Sequence, residues 1–302
     1  MVKNKTYDFI HERVLIIKDR TFPVYIILGE KNILVDAGPA ARAPELIDTI
    51  SGILKETGDA NGQRIDTLLL THSHWDHVGG AFHLQERFGF DVLASNRTIE
   101  LLSKPKVIKS IDSMNQGYKS LIRDRSNTRF SGLKQMRPLA AKTSIRLDSQ
   151  SELNVFEVPG HTKCSMAFFL TPGNILFPGD ATGLREPDGT IRPLFFSSFS
   201  EYIKSIRALN KLGPDVLALP HNRPLKGKDR VRAYLDASLL KTEEVREAIM
   251  EFLDQGLDAV RTAEMIYERE FPNISFMGPR KLLIMNLESM VRSICHEIPG
   301  PK

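Results

Sequence analysis

The sequence predicts an α/β fold that continues into an all-helical C-terminal region. Short runs rich in β-branched residues alternate with helical patterns as far as residue 221. Beyond that point only helical patterns follow. A length of 302 residues, of which 41% are hydrophobic and 26% charged, is enough for one large core and a smaller module. We therefore expect one domain over residues 1–223 and a helical extension over residues 224–302.

The first third of the chain has the pattern of a βα unit. A helix is predicted over Ala43–Thr57, because aliphatic residues recur there at helical spacing and Gly58 follows them. A second helix is expected over Gly80–Phe88. Strands are predicted at Val14–Ile17, Val24–Leu28, Asn32–Val35, Thr67–Leu70 and Val92–Ala94.

The middle of the chain is predicted to form a helical stretch that is followed by further strands. Residues from Thr98 to about Asp124 have a helical pattern, followed by strands and by a helix over Phe199–Leu212 that Gly213-Pro214 ends. The predicted strands are Ser144–Leu147, Glu152–Val158, Met166–Leu170, Ile175–Phe177 and Val216–Leu219. The helices of the extension are expected at Arg230–Gln255, Val260–Glu270 and Pro279–His296.

Positive charge is concentrated in one part of the sequence. The net charge of the whole chain is only +4, but residues 97–137 carry ten basic against three acidic residues, a local charge of +7. We treat this stretch as a helical basic insertion whose charges are mainly a hydrated surface. The alternative is a site for an anionic ligand such as the phosphates of coenzyme A. No nucleic-acid partner is expected from so small an overall excess.

The two cysteines, Cys164 and Cys295, cannot form a disulfide framework or a cysteine-based zinc knuckle. The first residues lack the apolar stretch of a signal peptide, and the longest apolar runs have only the length of strands. We therefore expect a cytoplasmic protein with no membrane segment. A homodimer is left open.

One short segment gathers the side chains that bind metals. The predicted strand Thr67–Leu70 is followed by His72, His74, Asp76 and His77, so four nitrogen or oxygen donors occur within six residues. Borderline-soft divalent metals prefer these ligands. A single histidine is most often a packed or hydrated side chain, but such clustering favours a metal site.

Three further donors follow other predicted strands, each in a tight glycine or proline context. These are His161, Asp180 and His221. Loops that leave the ends of one sheet start from fixed positions, which is what a preformed metal site requires.

The order and spacing of these seven donors resemble those of the metallo-β-lactamase superfamily over about the first 220 residues. The resemblance implies a four-layered αββα sandwich with two metal ions at one edge. By this resemblance His72, His74 and His161 hold the first metal. Asp76, His77 and His221 then hold the second, and Asp180 bridges the two. Asp36 matches an early Asp-x-Gly element of the family and is expected to orient a ligand loop.

The predicted activity is that of a dinuclear metal-dependent hydrolase. Two cations about 3.5–4 Å apart can share a hydroxide and polarise a substrate oxygen. We expect this bridging hydroxide to attack a small-molecule thioester, lactone or other ester, with Asp76 as the catalytic residue that orients it. The cofactors are therefore two divalent metal ions, and the donor types suit zinc, iron and manganese alike.

Differences between this sequence and individual subfamilies narrow the choice of subfamily. The redox di-iron members of the superfamily have a motif that resembles His-x-Glu-x-Asp, whereas this chain has His74 at the position of the Glu. The chain also has no cysteine ligand of the kind found in β-lactamases. The helical extension resembles that of glyoxalase II-like thioesterases and, in layout most closely, of quinolone-signal response proteins, so it is expected to cover the active site. The sequence Pro220-His221-Asn222 differs from the Gly-His-Gly turn of glyoxalase-type members.

Aromatic residues close to Asp180 are candidates for a substrate pocket. Phe195, Phe196 and Phe199 are expected to form its wall, with Phe276 and Met277 as its roof; packing in the core is the alternative interpretation. Two other functions remain open. One is a regulatory ligand-binding protein with little turnover, and the other is a phosphodiesterase, for which the basic insertion would attract the substrate.

Overall fold

The computed structural model describes residues 6–19, 21–57, 64–272 and 279–298. It contains two main β-sheets, helices that connect their strands, and a helical C-terminal region. The predicted α/β class and the helical end of the chain are therefore confirmed.

The first sheet has seven strands in sequence order. The strands β1 to β4 are antiparallel neighbours, whereas β4 to β7 run parallel. Side chains of β2, β3 and β4 are all buried, as expected for continuous runs of Val, Ile and Leu that are interrupted only by Tyr25 in β3. The bounds are β1 Tyr7–His11, β2 Val14–Ile17, β3 Val24–Ile27, β4 Ile33–Val35, β5 Thr67–Leu69, β6 Asp91–Ala94 and β7 Met136–Pro138.

Helices link the parallel strands of this sheet. Aliphatic residues of α1 and α3 join one hydrophobic core with the side chains of β2 to β6. The basic stretch predicted to be helical forms two helices, because Pro105 begins a new helix after Ser103 and Lys104. The bounds are α1 Ala43–Thr57, α2 Trp75–Val78, α3 Ala81–Phe88, α4 Asn96–Leu102 and α5 Pro105–Leu121.

The second sheet has six strands in the order β15-β14-β11-β10-β9-β8, and β12 and β13 form a separate hairpin. Sequence patterns missed this hairpin and β15, because each of these strands has only two residues. They also missed β1 and β7 at the two ends of the first sheet. The bounds are β8 Ser144–Arg146, β9 Glu152–Glu157, β10 Met166–Thr171, β11 Ile175–Phe177, β12 Leu184–Arg185, β13 Ile191–Arg192, β14 Val216–Leu217 and β15 Leu225–Lys226.

Four helices within the described part of the chain complete the C-terminal half. Helix α6 is capped by Ser198, whose hydroxyl accepts a hydrogen bond from the backbone N–H of Glu201. Asp258 caps α8 in the same way through the N–H of Arg261. The bounds are α6 Phe199–Lys211, α7 Lys228–Asp254, α8 Ala259–Glu270 and α9 Arg280–Glu297.

The backbone divides into two compact units. Unit 1 comprises residues 1–156 and 168–173, and unit 2 comprises residues 157–167 and 174–302. The predicted boundary at residues 223/224 lies inside unit 2, and the division into a core domain and an extension stays a prediction. Within the described residues, no helix is both long and apolar enough to cross a membrane.

Candidate metal centre

In unit 1, a buried carboxylate organises the segment that follows β5. Asp36 lies directly after β4, which pairs with β5 in parallel, so both strands end at the same edge of the sheet. The Asp36 carboxylate accepts two hydrogen bonds of 2.8 Å from Thr71, one from the backbone N–H and one from the hydroxyl. Asp36 has a φ of 57°, a left-handed conformation that Asp tolerates better than most residues. These contacts tie Asp36 to the segment after β5, and its orienting role toward metal ligands stays a prediction.

The same carboxylate sets the tautomers of two histidines. Nδ1 of His77 lies 2.8 Å from Oδ2 of Asp36 and donates a hydrogen bond to this oxygen. Because the Thr71 hydroxyl already donates to Asp36, its oxygen accepts a hydrogen bond from Nδ1 of His72 at 3.0 Å. Both rings therefore carry their proton on Nδ1, so Nε2 is the nitrogen of each ring that could bind a metal.

The other two donors of unit 1 belong to the turn that begins α2. His74 is the N-cap residue of this one-turn helix, and its carbonyl accepts hydrogen bonds from the N–H groups of His77 and Val78. The donor atoms of His74 and His72 lie within 4.8 Å of each other, and those of Asp76 and His77 do as well. The structure thus gathers all four predicted donors of this segment at one turn.

In unit 2, His161 is fixed by a backbone carbonyl and by a close packing contact. Its Nδ1 donates a hydrogen bond of 2.7 Å to the carbonyl oxygen of Leu194, which leaves Nε2 as the ligand atom. The preceding Gly160 has a φ of 126°, and a Cβ at this position would lie 2.3 Å from the backbone N and Cα of Tyr202. Only glycine fits this turn without displacing α6.

The carboxylate of Asp180 lies between two histidines of unit 2. Oδ2 is 3.3 Å from Nε2 of His161, and Oδ1 is 3.3 Å from Nε2 of His221. All three side chains are at most 6% exposed. Two oxygens that face different histidines form the arrangement that a bridging carboxylate needs.

Three hydroxyl groups support the turn that carries Asp180. Tyr202 donates to the carbonyl oxygen of Asp180 at 3.3 Å. Tyr234 donates to the carbonyl oxygens of Thr182 and Gly183 at 3.1 and 3.0 Å, and Ser238 donates to that of Thr182 at 2.8 Å. Burial raises the pKa of both tyrosines above the usual value, so they remain donors. Tyr234 and Ser238 belong to α7, and nothing in their local sequence indicated this role.

The aromatic segment after β13 has both buried and accessible members. Phe195 is fully buried and packs edge-on against Phe199, with ring centroids 5.4 Å apart. Phe196 is partly exposed, and its ring lies 4.8 Å from that of His161. Phe276 and Met277 lie outside the described residues. The pocket assignment of all five side chains stays a prediction, and the structure brings the Phe196 ring beside His161, a metal-ligand candidate of unit 2.

The hairpin of β12 and β13 holds a buried ion pair that sequence analysis did not single out. Nε of Arg192 donates to Oε1 of Glu186 at 3.0 Å, and the two side chains are 5% and 3% exposed. Burial raises the pKa of Glu186 and lowers that of Arg192, and the attraction between them opposes both shifts.

Five of the ten basic residues in the insertion, all of it within the described part of the chain, contact neighbouring groups. Lys104 pairs with Glu100, Arg129 with Asp112, Lys134 with Glu86 and Arg137 with Asp91. Lys119 is buried and donates to the carbonyl oxygens of Ser126 and Thr128. These five contacts indicate a structural role for those residues, and the choice between a hydrated surface and an anion-binding site stays a prediction.

The donor chemistry of both units fits a divalent metal. Buried imidazoles with Nδ1 already donating, together with buried carboxylates, are the ligands that zinc, iron and manganese accept. The structure therefore provides His and Asp groups compatible with divalent metal binding. The number of ions, their identity and the role of each ligand stay predictions.

Comparison with known families agrees with the fold and the donor set. The model of the metallo-beta-lactamase superfamily matches residues 20–221. The chain therefore belongs to this superfamily, and the recognition made from the seven ordered donors is confirmed at that level.

Individual relatives extend the match over most of the chain. The uncharacterized protein YobT of Bacillus subtilis is 30% identical over 70% of this chain and 88% of its own length. The probable metallo-hydrolase YqjP of the same organism is 23% identical over 83% of this chain and 81% of its own length. A hydroxyacylglutathione hydrolase of Psychromonas ingrahamii is 26% identical over 59% of this chain and 50% of its own length.

A solved structure supports the fold. The metallo-beta-lactamase family protein TTHA1429 from Thermus thermophilus superimposes with a TM-score of 0.64 at 18% identity, over 97% of this chain and 92% of that one.

Proposed function

We propose that this protein is a metal-dependent hydrolase that cleaves a thioester, lactone or other ester bond of a small molecule. The observation that carries the proposal is the placement of Asp180 at 3.3 Å from Nε2 of both His161 and His221, beside imidazoles whose tautomers are already set. A probable metallo-hydrolase and a hydroxyacylglutathione hydrolase among the relatives support this class of reaction.

The proposed ligand sets combine the donors of the two units. We assign the first ion to His72, His74 and His161, and the second to Asp76, His77 and His221. Asp180 would contact both ions with its two oxygens. When bound, two such ions lower the pKa of water towards neutrality and polarise a substrate oxygen.

The side chains of the protein have separate tasks in this proposal. Asp76 orients the attacking water, and Asp36 keeps His77 and Thr71 in register through its hydrogen bonds. Phe196, beside His161, offers apolar surface to the acyl group of the substrate. This aromatic surface favours a carbonyl substrate over a phosphodiester.

A substrate panel with protein of measured metal content tests the proposal. Purified protein is loaded in turn with zinc, iron or manganese, and its metal content is determined by elemental analysis. Thioester, lactone and phosphodiester substrates with chromogenic groups are then compared by kcat/KM. We expect about two ions per chain and turnover of a thioester or lactone. His296→Ala, which changes an exposed histidine outside the site, is the matched control and is expected to retain both metal and turnover.

Other outcomes would change the proposed substrate or the proposed function. Preferred hydrolysis of the phosphodiester would replace the carbonyl substrate. Stoichiometric metal with no turnover of any substrate would favour the regulatory ligand-binding alternative.

A further inference from the structure

Asn115 of α5 is fully buried and joins the metal-ligand turn, residues 72–77, to the loop that continues from Asp36. Its Oδ1 accepts a hydrogen bond of 2.7 Å from the backbone N–H of Ala40 in that loop. Its Nδ2 donates to a carbonyl oxygen of α5 at 3.0 Å and, at 3.5 Å, to the carbonyl oxygen of Trp75 in the turn. One amide of the basic insertion thus bridges the two segments of unit 1 that follow β4 and β5.

The backbone of the turn packs directly against the Asn115 amide. A Cβ at Gly79, which follows α2, would lie 2.5 Å from Oδ1 of Asn115 and 2.4 Å from the carbonyl oxygen of Trp75. The N–H of Gly79 donates to that same carbonyl oxygen at 2.9 Å. The absence of a side chain at Gly79 therefore lets α5 reach the backbone of the turn itself.

The ring of Trp75 lies in an aromatic cluster with a second side chain of α5. Its centroid is 5.3 Å from that of Tyr118 and 5.7 Å from that of Phe22, and the latter two are 5.4 Å apart. Trp75 stands between the donors His74 and Asp76 and is the only tryptophan of the chain. Its fluorescence therefore reports how the turn packs against α5.

The segment after α5 holds this helix in place. Asp112 accepts a hydrogen bond of 3.1 Å from the backbone N–H of Phe130. Gln116 and Lys119 each donate to the carbonyl oxygen of Thr128 at 3.0 Å. Helix α5 is thus fixed by its own loop while Asn115 contacts the turn.

Metal affinity depends on how often the metal-free turn already has its bound arrangement. If only about one tenth of the molecules have the donors in place, the apparent affinity falls about tenfold. Asp36 holds side chains of the turn, and Asn115 holds its backbone at Trp75. Loss of Asn115 also leaves the buried N–H of Ala40 without this acceptor, which favours rearrangement of the loop.

We propose that Asn115 is a positioning residue that keeps the metal-ligand turn in its bound arrangement before a metal arrives, and that Tyr118 supports it through the Trp75 ring. This inference rests on the ligand assignment of the proposed function and is independent of which bond is hydrolysed. It gives the basic insertion a role in the metal site through the inner side of α5.

Zinc affinity and Trp75 fluorescence, measured on the same proteins, test the role of Asn115. Zn²⁺ is titrated in competition with a chromogenic chelator, under conditions where circular dichroism shows each variant to be folded. We expect Asn115→Ala to lower zinc affinity about tenfold. In the metal-free variant, Trp75 emission should shift to the red and acrylamide should quench it more strongly. Saturating Zn²⁺ should restore the wild-type emission, because the ligand bonds then hold the turn.

Tyr118→Leu is a second variant, which keeps an apolar side chain but removes the ring beside Trp75. It should change zinc affinity in the same direction and to a smaller extent, with stronger quenching of Trp75 by acrylamide. If Asn115→Ala does not fold, this variant decides the question. Unchanged affinity and quenching in Tyr118→Leu would then overturn the role of α5.

Asn32→Ala is the matched control, because it also removes a buried amide of unit 1 that binds backbone groups. Its Nδ2 donates to the carbonyl oxygen of Arg64 at 3.0 Å, and its Oδ1 accepts from the N–H of Gly29 at 3.4 Å. Asn32 precedes β4, at the opposite end of that strand from Asp36. We expect a comparable loss of stability in urea, with unchanged zinc affinity and unchanged Trp75 emission.

The comparison of the two asparagine variants separates positioning from stability. If Asn115→Ala loses stability as Asn32→Ala does but keeps the wild-type zinc affinity and Trp75 emission, Asn115 has only a structural role. If the wild-type protein binds no Zn²⁺, the ligand assignment of the proposed function fails instead. The metal-free emission then still decides whether Asn115 holds the turn: a shift in Asn115→Ala alone supports this, and equal emission of both variants and the wild type overturns it.

Discussion

The two units hold their metal-ligand candidates in different ways. In unit 1, four donors occupy residues 72–77, and a single carboxylate, that of Asp36, fixes the turn through side-chain hydrogen bonds. In unit 2, three donors are spread from residue 161 to residue 221, and backbone carbonyls, tyrosine hydroxyls and close packing hold them. A contiguous set thus depends on one local network, whereas a dispersed set depends on the surrounding fold.

Removal of a metal-ligand candidate, tested once in each unit, is expected to lower metal content and turnover more than any other change. His74→Ala in unit 1 and Asp180→Ala in unit 2 should each release metal and lower turnover more than about 100-fold, because both side chains are assigned as ligands. Elemental analysis and kcat/KM on the best substrate measure this. Full metal content with unchanged turnover in Asp180→Ala would show that the bridging assignment is wrong.

A substitution at Gly160 tests whether unit 2 depends on close packing. Gly160→Ala places a Cβ 2.3 Å from the backbone of Tyr202, at a φ that L side chains rarely adopt, and should destabilise the protein by about 2–4 kcal/mol. Urea unfolding measures this loss. The control Gly52→Ala lies in α1 with open space around it and is expected to be neutral or slightly stabilising. Equal stability of the two variants would contradict a dependence of unit 2 on this contact.

The supporting hydrogen bonds are expected to matter less than the ligands themselves. Asp36→Asn keeps a residue that tolerates positive φ but cannot accept from both His77 and Thr71 as a carboxylate does. Metal affinity should fall about 10–100-fold. Tyr234→Phe, which removes the hydroxyl that two carbonyl oxygens of unit 2 share, should reduce affinity by less than about tenfold. Competition with a chromogenic chelator measures both values, and a larger effect for Tyr234→Phe would reverse the comparison.

The smallest effect is expected from the basic insertion. Lys104 is exposed and paired with Glu100, so replacing Lys104, Lys106 and Lys109 by Ser should change kcat/KM less than about twofold. Turnover should also vary little between low and moderate salt. A steep fall with salt that the triple variant abolishes would indicate a polyanionic substrate and promote the phosphodiesterase alternative.

The sequence predicted most elements because their signals are local. Buried strands such as β2 and β4 are continuous runs of Val, Ile and Leu, and the long helices repeat aliphatic residues at helical spacing. Strands of two residues, as in the β12 and β13 hairpin, carry too few residues for any period to show. The basic insertion was predicted to be helical without a division, and the break between its two helices lies at Pro105, which begins α5.

In the candidate site, too, the sequence predicted only what depends on local signals. Seven donors could be named from the sequence, because four of them lie within six residues and the order of all seven resembles that of the superfamily. Their geometry was decided only by the tertiary structure. Nothing in the local sequence connects Leu194 to His161 or Tyr234 to the turn after Asp180, since these contacts join residues far apart in the chain.

The sequence by itself therefore determined the superfamily, the donor types and the regular elements, because these depend on residue identity and short-range spacing. The tertiary structure decided which nitrogen of His72, His77 and His161 carries the proton, and that Phe195 is buried while Phe196 is partly exposed. Burial and hydrogen-bond partners are properties of chain segments brought together by packing, and no local pattern encodes them.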